Sequence, residues 1–428
     1  MEIVGRVTRM ENHNDVRFYD IIIIGGGMVG ASLAVALKNT SLKVAVIEQF
    51  PISKSNFKDM GFQPSYDARS TAISWGSRLI YQRLGLWDKL SEHVTPIKKI
   101  HVSDRGQFGA ARLNSKEYNV AALGYVVPNE WIGITLTSAL KSLDNVDFIC
   151  PAKVLDIKRA ADVTQITYSK SEDESVSAIS ADLVVIADGG RSETCQKLGI
   201  EMRVESYDQH ALIVNVTTSK HHAYEAYERF TESGPMAMLP LGESDINDSR
   251  CALVWTLPEQ EIETVMALSD DEFMAQLQDR FGYRLGKILN VGERFNYPLK
   301  LSQAAEQVRS GIVVVGNAAH ALHPVAGQGY NLSLRGVVAL AELVKQASEN
   351  GENIGALSVL LPYMNERYAD QDKTILFSDK VTRLFGDTHT GVGVLRDMGL
   401  IGLDILPAAK RLFARQAMGM GGTEAKFS

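Results

Sequence analysis

Gly25, Gly27 and Gly30 stand in the order G-x-G-x-x-G, and Glu48 follows eighteen positions after the last of them. These residue types at this spacing can hold a dinucleotide. Gly25 permits a tight turn, Gly27 lets backbone N–H groups approach a pyrophosphate, and Gly30 allows a following helix to lie close on the preceding strand. The phosphates then sit at the positive end of that helix. A carboxylate at position 48 can accept hydrogen bonds from both hydroxyls of an adenosine ribose, and it repels a 2′-phosphate. Two later groups could complete such a site. One is Asp188-Gly189, in the stretch ADLVVIADGGRSETC. The other runs from Gly316-Asn317 through His320 and His323 to the loop HPVAGQGYN, which carries Pro324, Gly327, Gly329, Tyr330 and Asn331. There Gly327 and Gly329 allow close backbone approach and Pro324 stiffens the loop. Amides around Tyr330 and Asn331 would point at an anion from a helix expected to begin near Leu332. His320 and His323 are the catalytic candidates, because an imidazole of pKa about 6.5 is suited to proton transfer near neutral pH. A hydrogen-bonded structural role is the alternative for each.

These residues need elements to position them. The stretch IIIIGGGMVGASLAVAL is uncharged for seventeen positions, fewer than the roughly 20 that a membrane helix needs. It reads better as a doubly buried strand at 19–24, a turn at 25–27 and a helix at 28–39, followed by a second strand at 43–47 that ends in Glu48. Strands at 183–187 and 312–315 deliver the other two groups in the same way. In the middle of the chain, RFTESGPMAMLPL and RCALVWTLP alternate apolar and polar positions around the turn-rich GESDINDS, a hairpin signature. Met236 and Met238 fit either plain core or the wall for an apolar substrate tail. His221 and His222, beside Lys220, read as a solvated loop, and the three cysteines, Cys150, Cys195 and Cys251, as small buried hydrophobes.

Composition narrows the class. At 428 residues, 45% hydrophobic and 22% charged, the chain suits two closely packed globular domains. A net charge of −7 argues against a nucleic-acid binder. Three cysteines without metal-ligand spacing support neither a disulfide framework nor a zinc site, so no metal is expected and a reducing, cytoplasmic setting is. There is no second strand-anchored G-x-G-x-x-G and no C-x-x-C. Any nicotinamide would therefore visit transiently, and the disulfide-reductase class is disfavoured. From Lys373 onward, eight Lys or Arg stand against five Asp or Glu. This apolar, mildly basic segment suits either packing on the body or contact with a lipid surface or a partner protein.

Taken together, the three motifs resemble the flavoprotein aromatic hydroxylases related to p-hydroxybenzoate hydroxylase, and especially their ubiquinone-biosynthesis branch, from Asp20 to about Leu400. The segment YDARSTAIS is similar too, and the resemblance sets Arg69 near the cofactor. Gly-Asn-Ala-Ala followed by Leu-His-Pro resembles the 2-polyprenyl-6-methoxyphenol hydroxylases of that branch. The fold so implied is α/β: a Rossmann-like FAD-binding domain of the glutathione-reductase type, interleaved with a mixed or antiparallel substrate sheet and followed by a C-terminal helical segment. The expected divisions are a tail at 1–18, FAD-binding parts at 19–96, 128–206 and 299–368, substrate parts at 97–127 and 207–298, and the helical segment at 369–428.

The same resemblance implies site roles and a reaction. Gly25, Gly27, Gly30 and Glu48 would hold the ADP half of FAD, Asp188 and Gly189 would lie by the pyrophosphate, and Asn317 with 324–331 would hold the ribityl chain and flavin. The reaction would be hydroxylation of a polyprenylated phenol with O2 and NADH or NADPH, through a C4a-hydroperoxyflavin. Other quinone-biosynthesis proteins and the inner membrane would be its neighbours. Two departures stand out. Asn317 replaces the family's usual Asp, keeping an amide but losing a charge, and Thr194-Cys195 follow Glu193 where an Arg usually closes the Asp-Gly motif. Another ring position or aromatic substrate, a prenyl-compound reductase or dehydrogenase, and a non-catalytic member of a biosynthetic assembly stay open as alternatives.

Overall fold

The computed structural model describes residues 16–51, 69–106, 108–160, 162–170, 175–242, 249–322, 327–386, 399, 402 and 404–420. Its first sheet is built on the chain's most continuous apolar runs. Parallel strands β1 (Arg17–Ile24), β2 (Val44–Ile47), β8 (Val146–Ile149), β11 (Val176–Ile186) and β19 (Ile312–Val314) lie in the order β19-β11-β1-β2-β8, with β18 (Val308–Arg309) antiparallel at one edge. Ile21 sits across from Leu183 on one side and Val44 on the other. Such strands are buried on both faces where the sheet is covered, which is why Ile21–Ile24 of β1 and Leu183–Ile186 of β11 are continuously apolar. One face packs on α1 (Met28–Ala36), α4 (Asn129–Lys141) and α8 (Gln328–Glu349), through Leu33, Leu136, Val337 and Val344. The opposite face is covered by β9 (Ala152–Ala160) and β10 (Val163–Lys170), which meander antiparallel onto β11, and by α5 (Glu193–Lys197).

A second, mixed sheet has the order β20-β17-β12-β15-β14-β13-β5-β6. Its strands are β5 (Lys99–Asp104), β6 (Ala110–Asn114), β12 (Met202–Thr218), β13 (Glu225–Thr231), β14 (Gly234–Pro240), β15 (Arg250–Pro258), β17 (Phe295–Ala304) and β20 (His320–Ala321), with β16 (Ile288–Val291) on β12. Every pairing is antiparallel except β13 with β5. The expected hairpin is β14 with β15. On the outer face α6 (Glu259–Met266) and α7 (Asp270–Phe281), through Ile262, Phe273 and Leu277, cover Leu212, Met236, Met238, Leu253 and Trp255. Met236 and Met238 are therefore core. Because side chains alternate along a strand, Ala211, Ile213, Ala237, Leu239, Ala252 and Val254 face the other way, where Leu239 and Ala252 pack with Ile97 and Val126.

A small antiparallel sheet joins the two bodies: β3 (Ser70–Ser74) and β4 (Thr95–Ile97) flank β7 (Gly124–Pro128). Ala72, Ile97, Ile100, Val126, Leu239 and Ala252 pack together across this join. Helices α2 (Trp75–Arg83) and α3 (Trp87–Leu90) follow β3, while α9 (Leu357–Gly386) and α10 (Pro407–Ala417) close the chain. This is the expected α/β class, with some changed boundaries. Helix α1 ends at Ala36 rather than 39, because Asn39 turns into the left-handed region at φ 65. Strand β1 begins at Arg17, inside the expected tail, whose residues 1–15 lie outside the described set. His222 is buried, its Nδ1 accepting the Tyr224 N–H at 3.1 Å, so the expected solvated pair is solvated at most at His221. Cys195 and Cys251 are buried as expected; Cys150 is only half-buried.

Candidate active site

The three motifs meet at the carboxyl ends of neighbouring strands. The N–H of Ala187 donates to Ile24 O at 2.7 Å and that of Val315 to Ile186 O at 2.9 Å, setting Gly25, Asp188 and Gly316 side by side. Gly25 has φ +102, and a β-carbon there would stand 2.5 Å from Ala187 O. One on Gly30 would stand 1.9 Å from Gly25 O. Gly316, at φ +64, rests on the Val29 side chain, and the Asn317 Cβ lies 3.8 Å from where Gly190 would carry its own. Gly189 and Gly329, by contrast, face open space. The turn is thus held by contacts among its own motifs, and its outer side is left clear.

Two carboxylates edge this turn. Glu48 accepts the Gly26 N–H at 2.7 Å and the Phe50 N–H at 2.8 Å. Burial nevertheless outweighs these bonds and raises its pKa. Asp188 is also raised by burial; one of its oxygens accepts the Thr194 N–H at 3.4 Å, and Oδ1 is buried with no partner among the described residues. A buried acceptor without a donor is costly and points to a hydroxyl or amide that a ligand would bring.

Helix α8 begins at Gln328, four residues earlier than the sequence suggested. Gly327 caps it in the left-handed conformation, φ 60, and among the described residues there is no side-chain cap bond at this end. Its positive end is therefore open to an anion. Asn331 lies within the first turn, and its side chain is spent on the scaffold. It donates to Gly327 O at 2.7 Å and Ala72 O at 3.0 Å, and accepts from Ser74 N at 2.8 Å and Ser77 Oγ at 2.6 Å. Tyr330 points the other way, its hydroxyl in contact with those of Tyr81 and Ser32. Ala72, Ser74, Ser77 and Tyr81 were not singled out in the sequence, although Arg69 just before them was. The Arg69 guanidinium lies 4.5 Å from the Tyr297 ring, reaching from the first body to β17.

His320 is buried on β20, and neither ring nitrogen has a partner among the described residues. It lines a water-sized cavity with Tyr363, Arg367 and Gln371. Burial depresses its pKa to about 4, with Asp370 opposing and Arg335 reinforcing the shift. Asp370 itself is held between Arg335 at 3.2 Å and Arg367 at 3.0 Å. His323 and Pro324 lie outside the described residues.

Comparison with known proteins fits this geometry. A family described as FAD binding domain matches residues 18–374. The chain belongs to this family. It is an FAD-dependent monooxygenase of the hydroxylase type. The ubiquinone hydroxylase UbiL of Rhodospirillum rubrum is 34% identical over 94% of this chain and 89% of that protein. The 3-demethoxyubiquinol 3-hydroxylase of Escherichia coli is 28% identical over 94% and 98%. In fold, the chain is similar to p-nitrophenol 4-monooxygenase PnpA from Pseudomonas putida, with a TM-score of 0.77, 18% identity, and coverage of 95% of this chain and 100% of that one.

The residues of this FAD-binding family member suit the cofactor on structural grounds alone. Gly25 and Gly30 pack too closely on backbone to carry a β-carbon, while Gly189 and Gly329 border open space. Asp188 Oδ1, without a partner among the described residues, can accept from a sugar or ribityl hydroxyl, and the start of α8 at Gly327 suits the negatively charged edge of a reduced flavin. Asn317 is exposed beside Gly190, where its amide can reach the same ligand.

Proposed function

We propose that this monooxygenase hydroxylates a polyprenylated phenol of ubiquinone biosynthesis, using O2 and NADH or NADPH, and that its ring substrate is 2-polyprenyl-6-methoxyphenol. The observation that carries this reading is the inner face of the second sheet. Ala211, Ile213, Ala237, Leu239, Ala252 and Val254 carry no charge, and four of these six are only half-buried although they lie between two packed bodies. A wall of small and aliphatic side chains accepts a neutral ring with a hydrocarbon tail, while Glu228 opposite Ala237 and Arg69 on the Tyr297 ring opposite Ala211 put polar groups at its margins. The names of the curated relatives support the same pathway.

In this reading Gly25, Gly27, Gly30 and Glu48 hold the ADP half of FAD, and Asp188 with Gly189 lies along the pyrophosphate. Asn317 bonds the ribityl chain, while Pro324, Gly327, Gly329, Tyr330 and Asn331 form the seat of the ring system, with Arg69 at its side. Bound there, FAD supplies the redox chemistry that passes nicotinamide electrons to O2. The chain's own work is to orient the phenol against that seat, exclude water with the apolar wall, and stabilise anionic charge with the α8 amides. His323 is assigned to the phenolic proton, while His320, buried beside a cavity of water size and kept neutral by that burial, takes the structural role. A substrate that partitions into lipid also calls for peripheral contact with the inner membrane and proximity to other quinone-biosynthesis proteins.

Mass spectrometry of the quinone intermediates in cells lacking this protein tests the proposal. Accumulation of 2-polyprenyl-6-methoxyphenol is the expected result. A precursor stalled at another ring position would move the reaction, and turnover without O2 would replace hydroxylation by a reductase reading.

A further inference from the structure

The C-terminal helix presents two chemically different faces. Inward, Ala414 and Met418 are buried against Leu113 and Leu123, and Phe413 packs on Val102, Ala111 and Phe230. Lys410 turns the same way, to Glu117 at 3.3 Å and Asp404 at 3.5 Å, and Asp404 also accepts the Arg112 N–H at 3.0 Å. The end of the helix is fixed by the Gly76 N–H, which donates to Met418 O at 2.8 Å. Outward, Ala408, Arg411, Leu412 and Arg415 fall on one stripe at helical spacing, and all four are exposed. The turn before the helix adds Ile405 and Leu406. Ile405, Leu406 and Leu412 are 69%, 58% and 72% exposed.

We infer that this outward face of α10, with the turn before it, is the surface by which the protein rests on an anionic lipid bilayer. Two independent features select that partner. Leu412 standing in water between Arg411 and Arg415, with Ile405 and Leu406 exposed on the turn before them, forms the pattern of a helix lying in the interface plane, apolar side chains in the acyl boundary and guanidinium groups at the headgroups. Charge is also separated along the chain, because the segment from Lys373 carries a positive excess of three within a protein of net charge −7. The acidic body is repelled by anionic headgroups and this segment is drawn to them. No helix among the described residues is long and apolar enough to cross a membrane, so the contact is a surface one. The position also has a use. Ile100 packs both with Phe413 under α10 and with Leu239 and Ala252 on the inner wall, so apolar packing is continuous from the docking face to the wall. That last step rests on the substrate proposed above; the docking itself does not.

Flotation of the FAD-loaded full chain with vesicles tests the docking without any turnover. With phosphatidylglycerol and phosphatidylethanolamine vesicles at low salt the protein should float, and raised salt should release it. Arg411→Gln and Arg415→Gln should each weaken binding about fivefold. Leu406→Asp and Leu412→Asp, both at exposed positions, should abolish flotation while the flavin spectrum stays unchanged. Failure to float with anionic vesicles, equal binding to pure phosphatidylcholine, or undiminished binding by both Asp variants would overturn the inference. If either Asp variant loses its flavin spectrum, the two Gln variants decide the matter.

Discussion

Asn331 uses both ends of its amide to tie the start of α8 to β3 and α2. Replacing it by Ala strands the buried Ser74 N–H and releases Gly327 O, so Asn331→Ala should cost about 2–4 kcal/mol in stability and loosen flavin binding. Urea unfolding and flavin titration check both parts. His320 makes a prediction of a different kind. Its pKa is about 4 when folded, against an ordinary 6.5 when unfolded, so the unfolded chain takes the proton first as pH falls. Stability from this site is complete above 6.5 and is lost between 6.5 and 4. The fall in unfolding midpoint from pH 7.5 to 5 should therefore be smaller in His320→Gln than in the unaltered protein. The close packing of Gly25 and Gly30 was legible in the sequence because their spacing follows from backbone geometry within one turn. The role of Asn331 was not, because its partners on β3 and α2 lie more than 250 positions away and no local pattern records them.

At the scale of elements, β1, the glycine turn and the start of α1 could be read directly, since a doubly buried strand and a glycine turn each have a local signature. The start of α8 was misplaced for an equally physical reason. A run containing Gly327 and Gly329 has poor intrinsic helix propensity and reads as loop, yet packing of Leu332, Leu334 and Val337 into the core holds it helical. Gly329 is thus a helical glycine with open space beside it. Gly329→Ala should raise the stability of the flavin-free protein by about 0.5–1 kcal/mol and at the same time weaken flavin affinity, because the methyl group would occupy the cleared side. Thermal unfolding with and without FAD separates the two effects. A loss of stability in the flavin-free protein would show that this helix start is under tighter constraint than the geometry indicates.

For the whole molecule, the α/β class and the interleaving of two sheets were legible, but the pairings that build the second sheet were not. β5 lies beside β13 in parallel, more than a hundred positions away, and such register depends on the finished core rather than on either strand. The converging motifs give a prediction at this scale. FAD held by Gly25, Asp188 and Asn317 should protect all three stretches from hydrogen exchange together and raise stability by about 2.7 kcal/mol at a free concentration one hundred times Kd. Protection confined to one stretch would mean that the other two do not touch the cofactor.

The packing of Gly30 against Gly25 O reaches as far as the genetic code. Every one-base missense change of a glycine codon brings in a residue with a β-carbon, and here that atom would stand 1.9 Å from a main-chain oxygen. Position 30 therefore has no mild neighbour to drift into, and a saturation library of this gene should return a near-empty column there.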